Sequence, residues 1–95
     1  MFEIRFDASS GIVHMRGRFD AAQIGPANQV FSSLSGSAVV DFRDLEYISS
    51  AGLGIIFAAQ KRLMDAGEGL KLVNLNPHIR EVFEIAGFDA IFEIG

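Results

Sequence analysis

From residue 37 onward the hydrophobic period of the chain switches back and forth, and this limits its fold more than any other feature. Ser37 to Phe42 (SAVVDF) is short, β-branched and nearly continuous, the pattern of a strand covered on both faces. From about Ser50 to Ala66 the apolar residues recur at helical spacing instead, and Gly67 closes the segment. Leu70 to Leu75 (LKLVNL) returns to strand. Asn76-Pro77 supplies a cap and a first-turn proline for another helix, with Ile79, Val82, Phe83 and Ala86 on one face and Gly87 at its end. Ala90 to Ile94 forms a last short strand. Strands separated by helices pair in parallel, because a parallel neighbour is reached only by a crossover.

The first third adds an antiparallel element. Phe2, Ile4 and Phe6 alternate with Glu3, Arg5 and Asp7, a period of two. Ser9-Ser10-Gly11 is turn material, and Ile12 to Gly17 reads as the hairpin partner. Val13, Met15 and Phe19 point one way; His14, Arg16 and Arg18 point the other. Asp20 can cap a helix from about Ala21 to Leu34, with Gly25-Pro26 as a weak early turn. Ile24, Ala27, Val30, Phe31 and Leu34 follow helical spacing in it. Arg43 to Ser49 is left as a connection. The expected fold is a single α/β domain over residues 1–95, in the order β-β-α-β-α-β-α-β, with a mixed sheet.

Composition narrows the function. Twelve acids against eight bases give a net charge of −4, with no basic run, which argues against nucleic acid as a partner. The longest apolar stretch, Ile55 to Ala59, is far shorter than the roughly 20 residues of a membrane span. MFEIRFD alternates at once, unlike a secretory signal. The absence of cysteine removes disulfides and thiolate metal sites. The expectation is a soluble, cytoplasmic protein without direct membrane insertion.

The segment from residue 50 to 66 carries the functional signal. On a helical wheel Gly52, Ile55, Ile56, Ala59, Leu63 and Ala66 cluster on one side and should pack on the sheet. The opposite side holds Ser50, Gly54, Phe57, Ala58, Lys61 and Asp65. Either Phe57 is covered by a neighbouring element, or it anchors a partner on a patch whose small residues allow close approach. Either Ser49 or Ser50 can cap the helix, which leaves the other hydroxyl free where backbone amides and the helix dipole favour an anion. A phosphate there adds about −1.5 to −2 charges beside the patch without breaking the helix.

Catalytic readings are weaker. Asp41, Asp44 and Glu46 lie close in sequence, but charged residues of a strand end and turn are ordinarily solvated. His14 and His78 have no evident relation to Ser50, and no G-x-S-x-G elbow is present. Gly52-Leu53-Gly54 lacks the third glycine of a dinucleotide fingerprint and the lysine of a P-loop. Two distant histidines make no zinc site. Neither a cofactor nor a metal is called for.

GRFD at Gly17–Asp20, VVDFRDLEYISSAGLGII at Val39–Ile56 and LKLVNLNPHIREVFEIAGF at Leu70–Phe88 together resemble the STAS domain family, the bacterial anti-sigma factor antagonists, over essentially the whole chain. The resemblance implies a mixed sheet with helices mainly on one side. It further implies a non-enzymatic switch: the unmodified antagonist binds an anti-sigma factor that is also a serine kinase and so frees a sigma factor. Phosphorylation ends the interaction, and a phosphatase resets it. The family's phosphoacceptor falls on Ser50, and Asp20 falls on an acidic position near the same surface. The implied partner-binding residues are Asp20, Ser49, Ser50, Gly54, Phe57 and Ala58. Family members usually carry an acid just before the acceptor; here Ser49 stands there, which makes it a minor alternative acceptor. Other members serve as subunits of ABC-type lipid-transport complexes or in signalling scaffolds.

Overall fold

A computed structural model describes residues 1–95. Strands β1 (Phe2–Asp7) and β2 (Ile12–Phe19) form the expected hairpin, with Phe2 opposite Gly17 and Asp7 opposite Ile12. Gly17 has φ +90°, and a Cβ there would run into the Met1 carbonyl, so only glycine lets the strand close on β1. Strands β3 (Ala38–Ile48), β4 (Leu70–Val73) and β5 (Glu93–Ile94) follow in parallel, giving the order β1-β2-β3-β4-β5. The crossovers are α1 (Ile24–Ser33), α2 (Ser50–Asp65) and α3 (Pro77–Ile85). Each parallel step moves the same way across the sheet, so right-handed crossovers lay all three helices on one face.

That face holds the core. Val13, Met15, Phe19, Val40, Phe42, Leu45, Ile48 and Leu72 point into it from the strands, against Phe31, Ile56, Leu63, Ile79 and Phe83 from the helices. Each fully buried phenylalanine contributes roughly 1.5–3 kcal/mol of transfer free energy. Phe83 meets Phe42, Phe88 and Phe92 edge-on, with ring centroids 5.7–6.1 Å apart.

The other face of the sheet is open and polar, which corrects the reading of 37–42 as a strand covered on both sides. His14 lies 3.8 Å from Asp41, Asn74 donates to Asp41 at 3.0 Å, and Arg18 lies over the Tyr47 ring. Only the inward residues of β3 are apolar by need; Val39 and Asp41 alternate outward, half-buried.

β3 is also longer than expected and absorbs most of the connection read over 43–49. The register against β2 shifts twice, between His14 and Arg16 and between Gly17 and Arg18. These two bulges give β3 a buried residue every third position, at Phe42, Leu45 and Ile48, and so hide its strand period. Elsewhere β2 runs on to Phe19, and β4 stops at Val73. The last strand keeps only two residues, because Phe88–Ala90 winds into a 3₁₀ turn. Residues 21–23 likewise form a 3₁₀ turn before α1, and Ile24, read as a core position, is 41 % exposed. Ala66 and Ala86 are exposed beyond the buried faces of their helices, whereas Leu53 and Gln60 are buried in α2.

Candidate functional site

The carboxyl ends of β2 and β3 lie side by side, with Phe19 paired to Ile48. The Ser49 N–H donates to the Phe19 carbonyl at 2.9 Å, extending the ladder one step. Beyond it the chains part: Asp20 opens the 3₁₀ turn, and Ser50 opens α2. The Asp20 carboxylate accepts the Ala22 N–H at 3.0 Å, so one of its oxygens is committed to the turn. The turn packs against α2, which brings Asp20 and the two serines to one end of the molecule.

The choice between the serines is settled by the backbone. Ser49 is extended (φ −85°, ψ 167°), and its hydroxyl oxygen accepts the Gly52 N–H at 3.1 Å. It is the cap, and it is half-buried. Ser50 is the first helical residue, exposed, with no hydrogen bond from its hydroxyl to another part of the chain. The amides of Ser50 and Ala51 belong to the first turn, have no intrahelical acceptor, and face no acidic residue of their own helix. Ser50 therefore offers a free nucleophilic hydroxyl where the helix dipole favours negative charge.

Gly52 fixes the depth of this helix start. A Cβ there would sit 3.1 Å from both Ile48 Cγ1 and Phe19 Cγ, so its absence lets α2 settle onto the strand ends.

From Ser50 the exposed stripe continues through Gly54 and Ala58, each one turn further on. Phe57 stands beside this stripe rather than on it. It is half-buried and stacked on Phe88, with centroids 4.9 Å apart, and Lys61 Nζ lies 5.6 Å from its ring. The covering element left open by the helical wheel is thus the segment after α3, and only part of the Phe57 ring is exposed.

Ala58 also rims a shallow groove of about 150 Å³ between α1 and α2, lined by Asn28, Phe31, Ser32, Ile55, Ala59 and Arg62. Arg62 donates to the Leu34 and Phe31 carbonyls at 2.8 and 2.9 Å and so closes the carboxyl end of α1. Spacing alone did not point to α1's share in this surface. Its exposed Ile24 follows the 3₁₀ turn that packs on α2, and helical periodicity had assigned that side chain to the core.

The acids weighed as catalytic belong elsewhere. Asp41, Asp44 and Glu46 all lie on β3, Asp41 on the open face with His14, and His78 is exposed on the first turn of α3. The structure brings none of them to Ser50.

A family model described as "Mlab, STAS domain" matches residues 2–93. The chain belongs to the STAS domain family. The anti-sigma-B factor antagonist of Listeria monocytogenes is 30 % identical over 77 residues, covering 80 % of this chain and 68 % of that protein. BtrV of Bordetella bronchiseptica, provisionally named an anti-sigma factor antagonist, is 48 % identical over 56 residues, 59 % of this chain. The match covers 48 % of BtrV, about half its length. Among solved structures, an anti-sigma factor antagonist from Mycobacterium paratuberculosis superposes with a TM-score of 0.87 at 21 % identity, covering 99 % of this chain and 85 % of that one. Unphosphorylated SpoIIAA superposes at 0.73 with 18 % identity, covering 100 % and 87 %. At such identities these two establish the STAS fold and nothing further. No helix of this STAS domain is long and apolar enough to cross a membrane.

Proposed function

We propose that this STAS domain is an anti-sigma factor antagonist: a binding protein without catalytic activity, acting in the cytoplasm. Its unmodified form docks on an anti-sigma factor that is also a serine kinase, and phosphorylation of Ser50 ends the contact. The observation that carries this reading is the division of labour at the helix start. Ser49 spends its hydroxyl on Gly52, so Ser50 is left exposed at the head of the Ser50–Gly54–Ala58 stripe. The names of the Listeria and Bordetella relatives support the same assignment.

The chemistry follows from position. A phosphate on Ser50 gains two or more charge-assisted hydrogen bonds from free amides while placing about two negative charges on the docking stripe, beside Asp20. The helix keeps its cap, because Ser49 remains bonded to Gly52. The domain stays folded while its surface changes sign. Small side chains at Gly54 and Ala58 admit a partner's backbone, the exposed part of Phe57 gives it an apolar edge, and a phosphatase restores the bare hydroxyl.

Ser49 stands where related antagonists carry an acid. The capping role is the same for either residue, so the change falls on charge at the kinase's approach. This uncharged S-S-A-G entry favours one other reading: an unphosphorylated subunit of an ABC-type lipid-transport complex. Incubation with ATP and a partner anti-sigma kinase, followed by intact-mass measurement, separates the two. A single phosphate mapped to Ser50 and absent from Ser50→Ala supports the switch. An unmodified chain that co-purifies with a transporter ATPase rules it out.

A further inference from the structure

The two outer strands of the sheet are built differently. β5 has two residues, a length that protects an edge from pairing. β1 has six, FEIRFD, with no proline, lysine or bulge, and it pairs with β2 alone. Phe6 on this edge is 40 % exposed, and Phe2 and Ile4 are only partly buried. We infer that β1 is a self-pairing edge, through which two copies of this chain join antiparallel into one continuous sheet.

Backbone geometry fixes which residues meet. The Arg18 N–H donates to the Met1 carbonyl at 2.8 Å, so Phe2 and Gly17 form a pair without direct hydrogen bonds. Alternation along the ladder then turns the N–H and C=O groups of Phe2, Ile4 and Phe6 away from β2, toward the free edge. In a symmetric pairing these residues face their counterparts.

Side-chain charge selects one register among those allowed. With the two-fold axis at Ile4, Ile4 faces Ile4, Phe2 faces Phe6, and Glu3 faces Arg5 of the other copy on both sides of the axis. Moving the axis to Arg5 sets Arg5 against Arg5 and Glu3 against Asp7. Moving it to Glu3 sets Glu3 against itself. An axis at Phe6 shortens the overlap to residues 5–7 and draws on Asp7, whose carboxylate is already bonded to the Ser9 hydroxyl and amide at 2.7 and 3.0 Å. Only the Ile4 axis combines the longest apolar row with opposite charges on the exposed face, where Glu3 and Arg5 lie.

The occupant is therefore a second copy of this chain. One short strand pair buries little area, so the dimer belongs to the weak, concentration-dependent class. Antiparallel pairing sends the two Ser50 sites to opposite ends of the joined sheet, so each stays open. The inference is independent of the proposed function, since neither Ser50 nor α2 takes part.

Sedimentation equilibrium over a concentration series tests it. The expected mass rises from 10.3 kDa toward twice that value as concentration increases. Glu3→Arg and Arg5→Glu each set like charges together and weaken association about tenfold, while the double exchange restores it. Unfolding midpoints of each variant, read alongside, separate a lost dimer from a lost fold. A mass of 10.3 kDa at every concentration overturns the inference. So does association that ignores the single exchanges or is not recovered by the double one.

Discussion

The two ends of the parallel strands use similar chemistry to opposite effect. At the amino end a crevice of about 500 Å³ opens between Ser10, Ser37, Gln60, Gly69, Lys71 and Glu93. Its polar groups are tied down. Gln60 is buried, accepts the Leu70 N–H at 2.8 Å and donates to the Ile91 carbonyl at 2.6 Å. Glu68 takes both the hydroxyl and the amide of Ser37, and the Ser37 hydroxyl oxygen in turn accepts the Gly69 N–H. At the carboxyl end there is no comparable cavity, yet the Ser50 hydroxyl and the first amides of α2 are uncommitted. Size marks the end that is closed by its own chain; unspent hydrogen-bonding capacity marks the end suited to a partner.

The contrast is broken most severely at Gln60. Gln60→Leu keeps the volume but strands a buried N–H and a carbonyl, and is expected to cost about 3 kcal/mol in urea unfolding while leaving partner binding intact once folded. The serine pair sharpens the comparison within one end. Ser49→Ala removes the cap and should cost about 1 kcal/mol, and Ser49→Asp should recover most of it. Ser50→Ala should change stability by less than about 0.5 kcal/mol, as for an exposed residue without partners. Equal costs for the two alanine variants would contradict the assigned roles.

The smallest effect is in acid. Hydrogen bonds from the Ser37 hydroxyl and amide hold the Glu68 carboxyl below its ordinary range, and those from Ser9 do the same for Asp7. Both pairs of bonds favour the charged form in the folded state, so their stabilisation is present above the ordinary carboxylate pKa. It is lost as pH falls through the lowered folded values. The stability gap between the wild type and Ser37→Ala, read from unfolding midpoints, should therefore shrink below about pH 4.

Much of this was legible in the sequence because local rules and the fold agree. Phe2, Ile4 and Phe6 alternate in a real hairpin strand, Asn76-Pro77 caps α3 with its side chain on the Ile79 N–H, and Gly67 and Gly87 end their segments at positive φ. Legibility failed where two elements had to be known at once. The bulges in β3 depend on its pairing with β2, so Arg43 to Ser49 read as a connection. Burial of Gln60 depends on β4 and the segment before β5, neither visible from helical spacing. Residue spacing left the cap open between Ser49 and Ser50, and the extended backbone of Ser49 decides that it is the cap.

The central claim is that Ser49 builds the helix start and Ser50 carries the signal. Calorimetric titration of a partner anti-sigma kinase, without ATP, into the wild type, Ser50→Ala and Ser50→Asp tests it most directly. Comparable affinity for the first two and a loss of at least about tenfold for Ser50→Asp, with all three equally folded, is the result predicted. One affinity shared by all three would contradict it.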